Sequence, residues 1–181
     1  QNIVVSDDRA ALSDLARYMV SLGHKDIGII SGPQQYYSSK ERLEGFVETL
    51  NGLGVDVPKN RVIEGKNSFE SGIECARQLL IQSPRVKAIF ANNDEMAAGV
   101  LKVAHEMGIT VPDELSVAGF DDNLLAARVI PALTTVQRPV GDMAAIAARK
   151  IIAHIEGSEV SETETYLVKP HLIIRDSIKK V

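Results

Sequence analysis

The stretch AIFANNDEMAAGVLKVAHEMGITVPDELSVAGFDDN, running from Ala88 to Asn123, decides how the chain is read. Ala88 to Ala91 is an apolar run of strand length, suited to burial in a parallel sheet. Asn92, Asn93 and Asp94 follow at its carboxyl end. Met96, Ala97, Val100, Leu101, Ala104 and Met107 then recur at helical spacing, Gly108 stops that helix, and Pro112 prevents it resuming. Leu115 to Phe120 forms the next strand and ends on Asp121-Asp122-Asn123. Two successive strands therefore deliver Asn and Asp side chains to one edge of a sheet, the edge at which open α/β sheets bind ligands.

The same alternation extends toward the amino terminus. Ile3 to Val5 reads as a strand and Asp7 to Leu22 as a helix with Leu12, Leu15, Ala16, Met19 and Val20 inward, stopped by Gly23. Asp26 to Ser31 is a second strand, broken by Gly32-Pro33. The next helix begins near Ser38, where Ser38 and Glu41 fit a capping box, and buries Leu43, Phe46, Val47 and Leu50 before Gly52 and Gly54. Arg61 to Glu64 is a short strand, and Asn67 with Glu70 caps a helix through Leu80. This β-α order with short connections predicts an α/β fold: a Rossmann-like parallel sheet lobe, residues 1–123, with helices on both faces.

The remainder differs. Leu133 to Val136 is either a strand or an extended crossover. Pro139 opens a long helix, about Val140 to Glu156, with a wide apolar stripe that includes Met143, Ile146, Ile151, Ile152 and Ile155. Gly157 ends it, Ser158 to Glu164 is a polar, acidic loop, and Tyr166 to Ile174 makes two extended segments interrupted by Pro170.

Composition excludes several classes of function. Trp is absent and aromatics are only 4%, which argues against a stacking platform for single-stranded nucleic acid. Net charge is −4 and no basic block exceeds Lys179-Lys180, so no DNA-binding surface is expected within these residues. Lone Cys75, among Ile73, Ala76 and Leu79, reads as a buried apolar residue, and a single Cys fits a reducing cytoplasm. No apolar run reaches the roughly 20 residues of a membrane helix. His24, His105, His154 and His171 are scattered, and no G-x-G-x-x-G, G-x-S-x-G or H-E-x-x-H motif occurs. No enzyme, cofactor or metal site is expected. The chain opens on Gln almost at a strand and reads as a fragment.

Six stretches then carry a resemblance: LGHKDIGIISGP (Leu22 to Pro33), RLEGF (Arg42 to Phe46), IFANNDEMAAGVL (Ile89 to Leu101), GITVPDELSVAGFDD (Gly108 to Asp122), PALTTVQRP (Pro131 to Pro139) and VKPHLIIRDS (Val168 to Ser177). In order and spacing the chain resembles the effector-binding domain of lactose-repressor/galactose-repressor (LacI/GalR) type bacterial transcriptional regulators. The resemblance implies a type I periplasmic-binding-protein-like pair of lobes gripping a small effector, a sugar or sugar derivative. It also implies a helix-turn-helix headpiece, absent here, through which alone operator DNA is bound, a homodimer, and a cytoplasmic protein free of the membrane. Residues 1–123 would be the second lobe and 124–138 a crossover. Residues 139–157 would be a helix of the first lobe, here packing either against another copy or onto its own lobe, and 158–181 the return strands. The alternative is a periplasmic sugar-binding protein of an ABC transporter, told apart by the sequence upstream of Gln1.

By the same resemblance Arg42 and Asp121 reach the ligand. A guanidinium fork suits paired hydroxyls or a carboxylate, and a carboxylate accepts from two hydroxyls at once. Arg42 could instead pair with Glu41 or Glu44 at the surface. Asn93 is a ligand contact or the N-cap of its helix, and Asp94 complements the helix dipole. Ser38 lines the cleft or caps. Asn67, a ligand-lining position, stands where the family often has an aromatic, which implies a more polar or smaller ligand or that Phe69 takes over the role, and either Gln137 or Arg138 touches ligand. Asp122 and Asn123 fill turn roles, and His24 and Lys25 structural ones. Met96, Val100, Leu124, Leu125, Val129 and Ile130 match the family's dimer surface, with ordinary core packing as the competing explanation.

Overall fold

The computed structural model describes residues 3–157 and 164–181. The elements run β1 (Ile3–Ser6), α1 (Asp8–Ser21), β2 (Ile27–Ser31), α2 (Tyr37–Gly52), a 3-10 turn (Lys59–Arg61), β3 (Val62–Glu64), α3 (Phe69–Leu80), β4 (Ala88–Ala91), α4 (Asp94–Glu106), β5 (Ser116–Ala118), β6 (Thr135–Gln137), α5 (Val140–Ile155), β7 (Thr165–Val168) and β8 (His171–Ile173). Most of the acidic loop expected over 158–164 lies outside the described residues.

Strands β3, β2, β4 and β5 form an all-parallel sheet in that order. Side chains alternate across it as the pleat requires. Ile30, Ile89, Ala91 and Val117 face α3 and α4, while Ile27, Ile29, Ala88, Phe90 and Ala118 face α1 and α2. Both faces are thus covered, which is why these strands read as continuous apolar runs. All four strands point the same way, so the segments after β2, β4 and β5 collect at one edge.

The ends of the chain form two further pairs. β1 runs parallel to β7, with Ile3 opposite Thr165, and β6 runs antiparallel to β8, with Val136 opposite Leu172. The sheet of the expected 1–123 lobe therefore begins at β2, and β1 lies outside it. Leu133 to Val136 resolves into a short strand starting at Thr135, tied to the main sheet by bridges from Ala118 to Thr134 and from Asp121 to Gln137.

Two local expectations are corrected. The Ser38–Glu41 capping box does not form: α2 starts one residue earlier, Tyr36 is its uncapped N-cap, and Glu41 pairs with Arg9. Asn67 and Glu70 do not cap α3; Ser68 does, in a reciprocal box with Ser71, while Asn67 sits in the left-handed region at φ 59°. α5 lies away from the parallel sheet. It lies against β1, none of its residues is buried, and Ile151, Ile152 and Ile155 face solvent.

Candidate functional site

The carboxyl edge of the sheet gathers a charged cluster around Arg42. Its side chain rises from the second turn of α2 and is only 5% exposed. Nε donates to Asp8 Oδ2 at 2.7 Å and Nη1 to the Asn92 carbonyl at 2.8 Å, while Nη2 stands 3.8 Å from Asp121 Oδ1. The guanidinium lies 3.6 Å from the centroid of the Phe120 ring, a stacking geometry that suits a desolvated arginine. Arg42 is thus committed to Asp8 and Asn92 and not to Glu41 or Glu44, which pair with Arg9, as does Glu48.

Asp121 follows β5 with φ 111°, and Asp122 with φ 53°. Such a conformation is rare outside glycine, and here it is held from several sides. Asp121 N donates to the Val136 carbonyl at 2.9 Å, and Asp122 accepts from Gln137 Nε2 at 2.9 Å and Arg175 Nη2 at 2.6 Å. The turn thereby frees Asp121 Oδ1, which is buried and accepts no hydrogen bond from the described residues. Arg138 Nη1 approaches it at 3.7 Å. Burial pushes the Asp121 carboxyl above its ordinary range, against the pull of Arg42 and Arg138 and with the push of Asp8.

Asn93 caps α4: its Oδ1 accepts from Met96 N at 2.9 Å, and its Nδ2 donates to the Asn67 carbonyl at 2.9 Å. Asn92 Nδ2 donates to Asn67 Oδ1 at 2.9 Å, so Asn67 joins the loops after β3 and β4. The Asn93 amide is therefore committed to the scaffold on both sides. Phe69 is half-buried in the first turn of α3, and Ser38 is exposed and lines a cavity with Asp8 and Arg138.

Asp94 does more than complement a dipole. It is fully buried; Thr135 Oγ1 donates to Oδ1 at 2.6 Å and Asn123 N to Oδ2 at 3.0 Å. One carboxylate thus clasps the turn after β5 and the crossover strand β6. Gly119 makes the room, since a Cβ there would collide with Asp94 Oδ1. Burial pushes this carboxyl up to about 6; the Thr135 and Asn123 bonds oppose the rise, and Asp121 and Asp122 add to it. An acid whose pKa is raised by folding binds more protons folded than unfolded between pH about 4 and 6. Its stabilising contribution is therefore complete below that window and lost across it as pH rises. The loss is about 3 kcal/mol. Urea denaturation of the wild type and Asp94→Asn at pH 4 and pH 7 checks this. The wild type should lose roughly that amount relative to the variant on going to pH 7, and parallel pH profiles would refute it.

The expected dimer residues divide. Met96 and Val100 are fully buried in the core between α3, α4 and the sheet, so they are removed from any interface. Val129 packs partly on that core and Leu125 is half-buried, whereas Leu124 is 72% and Ile130 93% exposed. His24 is buried with Nε2 2.9 Å from the Lys179 carbonyl, and Cys75 is buried, both scaffold roles. Among the described residues no group of three or more acidic, His or Cys side chains is placed to hold a metal, and no helix is long and apolar enough to cross a membrane.

Sequence reasoning missed Asp8, Thr135 and Arg175. A signal for Asp8 was present: Asp7-Asp8 follows β1 as Asn92-Asn93-Asp94 follows β4 and Asp121-Asp122 follows β5.

Comparison with known proteins places this edge in context. A family model described as a periplasmic binding protein-like domain matches residues 16–178. The chain is 31% identical over 178 residues, 98% of its length and 53% of the relative's, to the probable HTH-type transcriptional repressor ExuR of Bacillus subtilis (strain 168). It is 36% identical over 162 residues, 90% of its length and 47% of the relative's, to the HTH-type transcriptional repressor PurR of Salmonella paratyphi B. The chain thus spans about half the length of these curated relatives. A solved sugar-binding transcriptional regulator of the LacI family from Escherichia coli, complexed with phosphate, superposes with a TM-score of 0.90 at 31% identity, covering 98% of this chain and 63% of that one. Sequence and fold agree: the chain belongs to the periplasmic-binding-protein-like domain family, and over nearly its whole length it is similar to part of LacI-type transcriptional regulators.

Proposed function

We propose that this chain is the second lobe, with its crossovers, of a cytoplasmic transcriptional repressor that senses a small sugar-like effector. The observation that carries the reading is the pairing of buried Arg42 with half-buried Asp121 at the carboxyl edge, with Asp121 Oδ1 left without a hydrogen-bond donor among the described residues. Arg42, Asp121 and Arg138 are the polar ligand contacts, Ser38 and Phe69 line the opening, and Asn93 and Asn67 hold its wall. Relatives named as repressors support a regulator over a transport binding protein. Residues 139–157, with β1 and β7, belong to the first lobe, whose remaining surface covers Ile151, Ile152 and Ile155. Operator contact belongs to a headpiece outside these residues.

The effector must bind two lobe arrangements with different affinity, and that difference sets the change in operator affinity. The test uses the protein at its full natural length with DNA from its own promoter, in fluorescence anisotropy with and without a panel of sugars. One sugar should shift the DNA-binding midpoint by about tenfold or more. A protein that binds a sugar but no DNA would support the transport reading instead.

The exposed apolar pair Leu124 and Ile130, flanked by Leu125 and Val129, is the proposed self-association surface. Ile130→Asp should convert a dimer to a monomer in sedimentation velocity, with an unchanged melting temperature of the isolated subunit. An unchanged mass would remove these residues from the interface.

A further inference from the structure

The opening beside Arg42 holds more hydrogen-bond acceptors than the described residues satisfy. Besides Asp121 Oδ1, both Asp8 Oδ1 and Ser6 Oγ are buried and without a partner among those residues. Asp8 is only 4% exposed. Its other oxygen is occupied by Arg42 Nε at 2.7 Å. Asp8 and Ser6 line a cavity of about 180 Å³ together with Tyr37, Ser38, Glu41 and Arg138. Arg138 also stands 3.7 Å from Asp121, which joins this cavity to the sheet-edge cluster.

The charges decide what fits. Asp8 and Asp121 balance Arg42 and Arg138, and two of the Arg42 nitrogens are already committed. Glu41, the remaining charged group on the wall, is paired with Arg9. An anionic ligand group entering here would meet two buried carboxylate oxygens with little free positive charge to offset them. Hydroxyl donors would satisfy the oxygens that lack partners, which is the more favourable exchange.

We infer that Asp8 and Ser6 are ligand-contacting, specificity-determining residues that accept hydrogen bonds from the hydroxyls of an uncharged sugar and disfavour the corresponding uronate. This rests on the proposal that the opening takes a sugar-like effector. Ser6 Oγ, able to donate as well, completes the pair by reaching a ligand oxygen.

The test titrates matched probes, glucose with glucuronate and galactose with galacturonate, onto the full-length protein by ligand-observed NMR. At least one neutral sugar should bind about tenfold or more tightly than its uronate. Asp8→Asn, which puts a donor where an acceptor stood, should weaken that neutral sugar about tenfold or more and narrow its advantage. Ser6→Ala should weaken it roughly fivefold. Thermal melts establish that each variant is folded. Ser6→Ala leaves the Asp8–Arg42 pair untouched, so its affinity is decisive if Asp8→Asn does not fold. A uronate binding more tightly than its neutral partner, or a folded variant with unchanged affinity, overturns the inference while leaving the sugar-sensor reading standing. If neither neutral nor acidic sugars bind at tens of millimolar, the sugar reading itself fails and this inference falls with it.

Discussion

Arg42→Ala should be the most damaging single truncation at the sheet edge, lowering stability by about 3–5 kcal/mol. The arginine is buried, so its removal leaves Asp8 as an uncompensated buried charge and the Asn92 carbonyl without its donor. The stacking surface over Phe120 is lost as well. For a domain of this size each kcal/mol moves the melting temperature by about 2–4 °C, so the midpoint should fall by about 10 °C. A companion, Asp8→Asn, keeps a hydrogen-bond acceptor for Nε and should cost clearly less. Combining the two changes should cost less than the sum of each alone, because they share one interaction. Additive losses, or an Arg42→Ala midpoint within about 2 °C of wild type, would show that the pair does not hold this edge together.

Gly99→Ala should cost about 3 kcal/mol even though alanine favours helices. A Cβ at Gly99 would lie 2.6 Å from the Phe69 carbonyl oxygen and 2.8 Å from Ile73 N, and one at Gly72 would lie 2.5 Å from Met96 Cα. These glycines let α3 and α4 touch backbone to backbone. No flexible side chain is available to yield, so the helices must part and open the core that Met96, Val100 and Ala104 fill. Gly52 is the control. It ends α2 with open space around its Cβ position, so Gly52→Ala should be neutral or stabilise by up to about 1 kcal/mol. Chemical denaturation of the three proteins side by side measures both signs. Equal stability of Gly99→Ala and wild type would mean that the two helices do not pack at this distance.

Much of the site was legible because its parts are local. The Asn residues directly after β4 and the Asp residues shortly after β5 follow apolar runs, and parallel strands leave such residues on one edge whatever else the chain does. Arg42 was legible as a cleft residue only through the resemblance. Its partner Asp8 lies 34 positions away, and neither residue's neighbours predict the pairing. Asn93 shows the opposite case, for its capping role follows from position and the amide is in fact spent there.

The alternation of strand and helix, the parallel sheet covered on both faces and the polar composition of its carboxyl edge were determined by the sequence alone. They follow from periodicity and from glycine and proline breaks, which act over a few residues. Tertiary structure decided which of those polar groups pair and which stay open: Arg42 with Asp8, Asp94 with Thr135, Asp121 Oδ1 with no donor among the described residues. It also moved Met96 and Val100 from a candidate interface to the core and left Ile130 outside. A helix's apolar stripe shows that something covers it, but what covers it depends on segments distant in the chain that only the folded packing brings alongside.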